Sequence, residues 1–199
     1  MPGPAGVRAL PGGALLVVPA VPARGLLVFF HGAGGRPDSS LPLVQPAVEQ
    51  AGVLTLLPGS ADRTWDVVLG RPGPDVAALD AVLATVLAEH PVQRVAFGGF
   101  SDGASYALSL GLANGDLVEA LLAFSPGFAA PPGQQGCPRV WVAHGTRDRV
   151  LPVDACGRRV VRLLASAGYE VRYDEFDGEH VVRPQDVPTA LDWWLGPPG

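Results

Sequence analysis

The feature that most constrains the fold is the alternation of short apolar runs with longer segments whose apolar residues recur at helical spacing. Most runs are continuous in apolar residues, as in parallel strands that are covered on both faces. They lie at residues 14–18, 26–30, 53–57, 95–100, 120–124, 140–143 and 171–176. Helical segments follow at residues 75–89, 103–113, 153–167 and 184–195. This order predicts an α/β fold with a central, mostly parallel sheet and helices on both faces.

The spacing of these segments also predicts the domain organisation. A chain of 199 residues is short of the length at which one core usually divides. The longest irregular stretches, 32–42, 58–74 and 126–138, are too short for a separate cap domain. We therefore expect a single domain over residues 1–199. Pro188 lies inside the last helical segment, where it is expected to kink the helix or delay its start.

The charge of the chain argues against two classes of partner. A net charge of −5 provides no basic excess that would bind nucleic acid or an anionic membrane surface. No apolar stretch approaches the roughly 20 residues of a membrane helix. The run at 14–18 resembles a short signal peptide, but Pro and Gly crowd it, and we expect it to be the first strand of a cytoplasmic protein. The absence of Lys and Ile is typical of a high-GC bacterial gene.

The two cysteines do not indicate a metal or redox site. Cys137 and Cys156 lie 19 residues apart, without a C-x-x-C spacing or a neighbouring histidine cluster. Two free thiols are expected rather than a disulfide. No metal and no cofactor are predicted.

Residues 99–103, with the sequence Gly-Phe-Ser-Asp-Gly, match the pattern G-x-S-x-G between a predicted strand and a predicted helix. A serine on such a sharp turn is raised above the sheet, and the residues two before and two after it must lack bulk, as Gly99 and Gly103 do. The turn also places Ser101 at a helix N-terminus, which favours developing negative charge. A phosphate-binding loop is excluded because the chain has no Lys. Ser101 is therefore the predicted nucleophile.

A serine hydroxyl needs a base to accept its proton, and the chain has four histidines. His180 lies in a polar loop between the last strand and the last helix, where the base is expected. His90 ends a helix beside Pro91 and is predicted to face solvent. His31 and His144 each close a strand before a glycine, and a structural role is expected for both.

The base in turn needs a carboxylate to hold its tautomer. Asp148 follows the penultimate strand, which puts serine, aspartate and histidine in the order that this arrangement requires. Asp154 is an alternative that more plausibly begins a helix. Asp177 is another, but it is too close in sequence to His180 to reach the far ring nitrogen easily. Asp148 is the predicted orienting residue.

Two backbone N–H groups should stabilise the oxyanion that forms during acyl transfer. The N–H of Asp102, directly after the nucleophile, is the first candidate. The second should come from the glycine-rich loop after the strand at 26–30, and we choose Ala33, with Gly34 as the alternative.

Four motifs together resemble the α/β-hydrolase superfamily, and within it the small phospholipase/carboxylesterase group that includes the acyl-protein thioesterases. They are His31-Gly32-x-Gly34, Gly99-Phe100-Ser101-x-Gly103, His144-Gly145-Thr146-x-Asp148-x-Val150-x-Pro152 and Gly178-x-His180. The resemblance implies an α/β-hydrolase fold and a serine esterase without a cofactor. Asp102 stands where that group commonly has Gln, and the segment 63–66, with Trp65, replaces a longer loop of the thioesterases.

Without a cap domain, the site should be an open cleft that takes a small-molecule ester. We predict hydrolysis of short-chain or aryl carboxylic esters through an acyl-enzyme on Ser101, with Trp65, Phe128 and Val181 as candidate pocket walls. Trp65 has an equal alternative as an aromatic anchor that holds its irregular loop to the body of the protein. The alternatives are a thioesterase or lysophospholipase, and a dienelactone-hydrolase-like enzyme, although the latter usually has Cys at the elbow. A non-catalytic ligand-binding homologue is the alternative of a different class.

Overall fold

One eight-stranded sheet organises the part of the chain that the computed structural model describes, residues 5–66 and 73–196. Its strands are β1 (Gly6–Ala9), β2 (Leu15–Val18), β3 (Leu26–Phe30), β4 (Leu54–Leu57), β5 (Val95–Phe100), β6 (Ala120–Phe124), β7 (Arg139–Gly145) and β8 (Val171–Phe176). The order across the sheet is β1-β2-β4-β3-β5-β6-β7-β8. β1 and β2 are antiparallel to their neighbours, and all pairs from β4 to β8 are parallel.

Helices cover both faces of this sheet, as the sequence predicts. They are α1 (Pro37–Ala51), α2 (Pro74–Glu89), α3 (Asp102–Ala113), α4 (Gly157–Ser166) and α5 (Asp186–Leu195). The buried residues of α2, α3 and α4 share one apolar core with one face of the sheet. Those of α1 and α5 share a second core with the other face. None of the described helices combines the length and the hydropathy that crossing a membrane requires.

Two elements were not predicted. β1 has a weak apolar pattern because it pairs only with β2, at the edge of the sheet. α1 occupies part of the stretch 32–42 that was predicted to be irregular, and it contains Pro42 and Pro46. Each proline removes one helix hydrogen bond, but Val44 and Val48 are fully buried against the sheet, and this burial overrides the local preference.

The two C-terminal helices start later than predicted. α4 begins at Gly157 rather than at residue 153, because residues 152–156 form turns. α5 begins at Asp186, and Pro188 lies in its first turn, where a helix N–H has no acceptor within the helix. The proline therefore marks a helix start and not a kink.

Candidate active site

Ser101 lies on a strained turn between β5 and α3. Its φ of 58° is in the left-handed region that residues other than glycine rarely adopt. A Cβ at Gly99 would lie 2.5 Å from the backbone of Gly103, and a Cβ at Gly103 would overlap the carbonyl oxygens of Phe30 and His31. Both glycines are therefore required for the turn, as the sequence predicts, because β3 and the start of α3 pass close to it.

The structure brings Ser101, His180 and Asp148 into one chain of hydrogen bonds. His180 Nδ1 lies 2.6 Å from Asp148 Oδ2, and its Nε2 lies 2.9 Å from Ser101 Oγ. An ionised carboxylate only accepts, so Nδ1–H donates to Asp148 and Nε2 is left to accept the serine proton. The imidazole thus has the tautomer that general-base catalysis needs.

The Asp148 carboxylate is enclosed and held by backbone groups. Its Oδ1 accepts from the N–H groups of Val150 at 2.9 Å and Leu151 at 2.8 Å. Burial raises the pKa of Asp148, but the hydrogen bonds from Leu151, His180 and Val150 outweigh burial, and the net pKa lies below its ordinary value. Asp148 is therefore ionised at neutral pH.

The loops that carry Asp148 and His180 are bound to each other. Thr146 N–H donates to Phe176 O at 2.8 Å, and Arg147 N–H donates to Gly178 O at 2.9 Å. A Cβ at Gly145 would overlap the backbone of Gly178. Because β7 and β8 are parallel neighbours, their carboxyl ends place the loops of Asp148 and His180 side by side.

Arg183 holds the segment that follows His180 in the chain. The Arg183 guanidinium bonds Asp186 Oδ1 at 2.9 Å and Asp174 Oδ2 at 2.6 Å, and it stacks over the ring of Phe176 at 3.9 Å. Arg183 N–H also donates to Asp186 Oδ2 at 2.7 Å. These contacts hold the segment after His180 to β8 and to the start of α5.

Both predicted oxyanion donors are available. Among the described residues, neither the Ala33 N–H nor the Asp102 N–H has a hydrogen-bond acceptor. The alternative donor, Gly34 N–H, is occupied because it donates to Arg63 O at 2.6 Å. A Cβ at Gly32 would lie 3.4 Å from Ser101 Cβ, so this loop passes directly beside Ser101. The geometry favours Ala33 over Gly34.

Of the two roles that the sequence left open for Trp65, pocket wall and loop anchor, the structure favours the anchor. The Trp65 side chain is only 1% exposed. The ring stacks on Tyr106 with centroids 4.7 Å apart, and its Nε1–H donates to His31 O at 2.9 Å. Trp65 therefore anchors the loop after β4 beneath the oxyanion loop, because a buried indole needs both packing and an acceptor for its N–H.

Two contacts at the nucleophile were not predicted. Thr64 Oγ donates to Asp102 Oδ2 at 2.8 Å, which ties the loop after β4 to the first residue of α3. The Phe100 ring lies 4.7 Å from the His180 ring, centroid to centroid, and packs against the base. Neither contact has a local sequence signal, because each joins residues that are far apart along the chain.

The remaining histidines occupy buried positions. His90 was predicted to face solvent, and this prediction is wrong, because its side chain is only 6% exposed. His31 donates from Nδ1 to Gly32 O at 2.8 Å, and its Nε2 accepts from Ser60 N–H at 3.3 Å. Burial lowers the pKa of His31, although the bond to Gly32 acts in the opposite direction. This neutral, doubly bonded ring fits the predicted structural role.

Phe128 and Val181 remain candidate pocket walls. Val181 directly follows His180 and is 44% exposed. Phe128 is partly exposed, and the neighbouring Gly127 packs near the side chain of Leu151 in the Asp148 loop. Cys137 and Cys156 are free thiols. Within residues 5–66 and 73–196, no cluster of histidine, cysteine and carboxylate side chains is arranged to hold a metal ion.

Solved structures with the same fold are esterases and related hydrolases. A Bacillus cereus carboxylesterase has a TM-score of 0.70 and 19% identity, covering 91% of this chain and 92% of its own. A Mesorhizobium loti carboxylesterase has a TM-score of 0.73 and 18% identity, covering 96% and 99%. Acyl-protein thioesterase 2 of Zea mays has a TM-score of 0.66 and 18% identity, covering 92% and 97%.

No protein-family model matches the chain. At this level of identity the likeness establishes the architecture, which is that of a minimal α/β-hydrolase. The fold predicted from the sequence is therefore confirmed. The high coverage of both chains means that the architecture accounts for nearly the whole length of these neighbours.

Proposed function

We propose that this chain, which has the α/β-hydrolase fold, is a serine hydrolase that cleaves carboxylic esters through an acyl-enzyme on Ser101. One observation carries the proposal: the hydrogen bonds from Ser101 to His180 and from His180 to Asp148, at 2.9 and 2.6 Å. The backbone N–H groups of Ala33 and Asp102, which have no acceptor in the described part of the chain, add support to the proposal. The esterase names of the structural neighbours support the same reaction class.

In the acylation half, Ser101 Oγ attacks the carbonyl carbon of the ester while His180 Nε2 takes its proton. The N–H groups of Ala33 and Asp102 donate to the oxyanion of the tetrahedral intermediate. Asp148 stabilises the imidazolium through Nδ1–H. When the bond from carbon to the leaving oxygen breaks, His180 returns the proton to that oxygen, and an alcohol departs.

In the deacylation half, water replaces the alcohol. His180 removes a proton from this water as its oxygen attacks the acyl carbon, and the same two N–H groups bind the second oxyanion. The bond from the acyl carbon to Ser101 Oγ then breaks, and His180 returns the proton to the serine. The products are a carboxylic acid and the free enzyme, so no cofactor is consumed.

We propose short-chain or aryl esters as substrates. The described connections around the site carry no additional domain that would enclose a long acyl chain, and Ala33 is exposed at the site. Phe128 and Val181 provide apolar surface beside the loops of Asp148 and His180. An acyl thioesterase is supported by one structural neighbour, and it would use the same acylation chemistry. The buried Trp65 reduces the apolar surface available for a longer chain.

The test is hydrolysis of p-nitrophenyl acetate and butyrate by the purified protein. Turnover is expected, and Ser101→Ala should lower kcat by about 10⁶-fold, because the nucleophile is lost and only the residual effect of the oxyanion donors and substrate binding remains. Ser166→Ala is the matched control, since it removes an exposed serine hydroxyl at the end of α4 and should retain wild-type kcat. Turnover that survives Ser101→Ala would refute the assignment.

A second measurement separates the enzyme from a non-catalytic binding protein. A fluorophosphonate probe reacts only with an activated serine hydroxyl, and we expect Ser101 alone to be labelled, as read by mass spectrometry of the peptides. A protein that binds esters without reacting with the probe would be a ligand-binding homologue. Comparing p-nitrophenyl esters of increasing acyl length with their thioesters would then define the substrate class.

A further inference from the structure

His144, the residue before the end of β7, is a buried histidine that the acyl-transfer steps above do not use. Its side chain has no exposed surface. Nε2 lies 2.8 Å from Leu151 O and 3.2 Å from Asp148 Oδ2. A carbonyl oxygen only accepts, so Nε2 carries the proton and donates to Leu151. The histidine therefore contacts the loop that holds the orienting carboxylate.

The other ring nitrogen of His144 shows that the side chain is neutral. Nδ1 is buried and has no hydrogen-bond partner among the described residues. Burial lowers the pKa of His144, although its contacts with Leu151 and Asp148 act in the opposite direction. A Cβ at Gly157 would lie 2.5 Å from Nδ1, so the start of α4 closes this side of the ring. The imidazole is thus a neutral donor with one N–H and little room to move.

The Asp148 carboxylate is fixed at both oxygens by groups that involve His144. Leu151 N–H donates to Asp148 Oδ1 at 2.8 Å, while Leu151 O accepts from His144 Nε2–H at 2.8 Å. The same Nε2 lies 3.2 Å from Oδ2, the oxygen that accepts from His180 Nδ1–H. His144 therefore supports the turn that holds Oδ1 and also touches the oxygen that orients the base.

We propose that His144 is a positioning residue, a neutral donor that holds the Asp148 carboxylate in the orientation His180 needs. This inference rests on the proposed function, because it concerns the base of the same reaction. The neutral form suits the role, since a cation at this place would compete with His180 for the charge of Asp148. The role is a consequence of geometry: the carboxylate can orient His180 only while its own rotamer is fixed.

The kinetic test compares His144→Leu with His144→Gln on p-nitrophenyl butyrate. Leucine removes the donor, and kcat should fall by about 10- to 100-fold with little change in KM, because substrate contacts are untouched. Glutamine places an amide N–H near the position of Nε2 and should restore most of kcat. His90→Leu is the matched control, since it removes another buried histidine, at the opposite edge of the sheet. A His144→Leu variant as active as His90→Leu would overturn the proposal.

A measurement on the wild-type protein keeps the proposal testable if the variants do not fold or if the protein has no esterase activity. Nitrogen NMR shifts of His144 should show a proton on Nε2 and none on Nδ1 at neutral pH. A proton on Nδ1 would overturn the proposal, because Nε2 could not then donate to Leu151. Absence of ester turnover by the wild-type protein would refute the proposed function, whereas a proton on Nδ1 of His144 would refute only the role of His144.

Discussion

The dipeptide His-Gly occurs at the carboxyl ends of two strands, directly after β3 and as the last two residues of β7, and the two histidines make different hydrogen bonds. His31, after β3, donates from Nδ1–H to the carbonyl of its own neighbour, Gly32, and accepts from Ser60 with Nε2. His144 of β7 uses Nε2–H to bond Leu151, seven residues away, and leaves Nδ1 without a partner. Both rings are buried, and burial lowers the pKa of both.

The difference lies in the loop that each histidine supports. His31 packs against Trp65 and belongs to the loop that carries the proposed oxyanion donor Ala33. His144 belongs to the loop that carries Asp148. A histidine at the carboxyl end of a buried strand therefore serves as a neutral support, and the nitrogen that bears the proton decides which loop is held in place.

Of the variants that test the loop of His144, Asp148→Asn should lower activity most, because it changes the carboxylate that His144 contacts. An amide cannot hold His180 in the tautomer with Nδ1–H as a carboxylate does, and kcat should fall by about 10⁴-fold. Asp154→Asn is the matched control, since Asp154 is a surface partner of Arg158. Steady-state kinetics on p-nitrophenyl butyrate measures both variants, and equal activities would exclude Asp148 as the orienting residue.

Gly157→Ala tests how tightly His144 is confined. The new Cβ would lie 2.5 Å from Nδ1, and overpacking of this kind should lower the free energy of unfolding by about 1–3 kcal/mol. A lower kcat should accompany this loss. Urea denaturation gives the free energy, and Gly133→Ala is the control, because a Cβ at Gly133 would have no neighbour within 4 Å. Equal stability of the two variants would show that the ring has room to move.

Trp65→Phe tests the hydrogen bond from the Trp65 indole to the backbone carbonyl of His31. Phenylalanine keeps an aromatic ring against Tyr106 but leaves His31 O without the indole donor, which should cost about 1–2 kcal/mol of unfolding free energy. The ratio kcat/KM should fall less than in Asp148→Asn, because Ala33 is displaced only indirectly. Trp193→Phe, a change of a partly exposed indole on α5, is the control. A stable Trp65→Phe protein would contradict the anchoring role.

Acidification should lower the free energy of unfolding through both His31 and His144. For a histidine whose pKa is lowered by folding, the unfolded chain binds more protons below the ordinary pKa of about 6.5, so stability falls as the pH drops below that value. The limiting slope is about 1.4 kcal/mol per pH unit for each such group. Urea denaturation between pH 8 and pH 5 measures it. His31→Gln and His144→Gln should each reduce the slope of stability against pH. An unchanged slope in either variant would show that this histidine is not a buried neutral group of the same kind as the other.

Much of the architecture followed from local pattern. The strands from β2 to β8 and the helix α2 lie close to their predicted positions, because continuous apolar runs and a regular apolar stripe report burial directly. α1 was not predicted because Pro42 and Pro46 disfavour a helix locally, and tertiary packing stabilises the helix in spite of them. β1 escaped because an edge strand has only one neighbour and half of its residues face solvent.

The candidate site, like the fold, has some residues that local sequence pattern predicts and others that it does not. Ser101 could be predicted because the G-x-S-x-G turn needs small residues at fixed spacing, and the two glycines carry that requirement in the sequence. The role of Trp65 stayed open and His90 was wrongly predicted to face solvent, because nothing local distinguishes an exposed aromatic or imidazole ring from one that a distant element covers.

The sequence by itself determined the order of strands and helices, the strained turn at Ser101 and the succession of serine, aspartate and histidine, because backbone sterics and apolar periodicity act over short stretches of chain. Only the tertiary structure decided that Trp65 is an anchor and that His144 faces Asp148. It also decided that Gly34 N–H is bonded to Arg63 O, whereas Ala33 N–H has no acceptor within residues 5–66 and 73–196. The burial of Trp65 and the bond of Gly34 depend on contacts between distant parts of the chain, and the contact of His144 with Asp148 depends on how the loop after β7 folds back, so none of them has a local sequence signal.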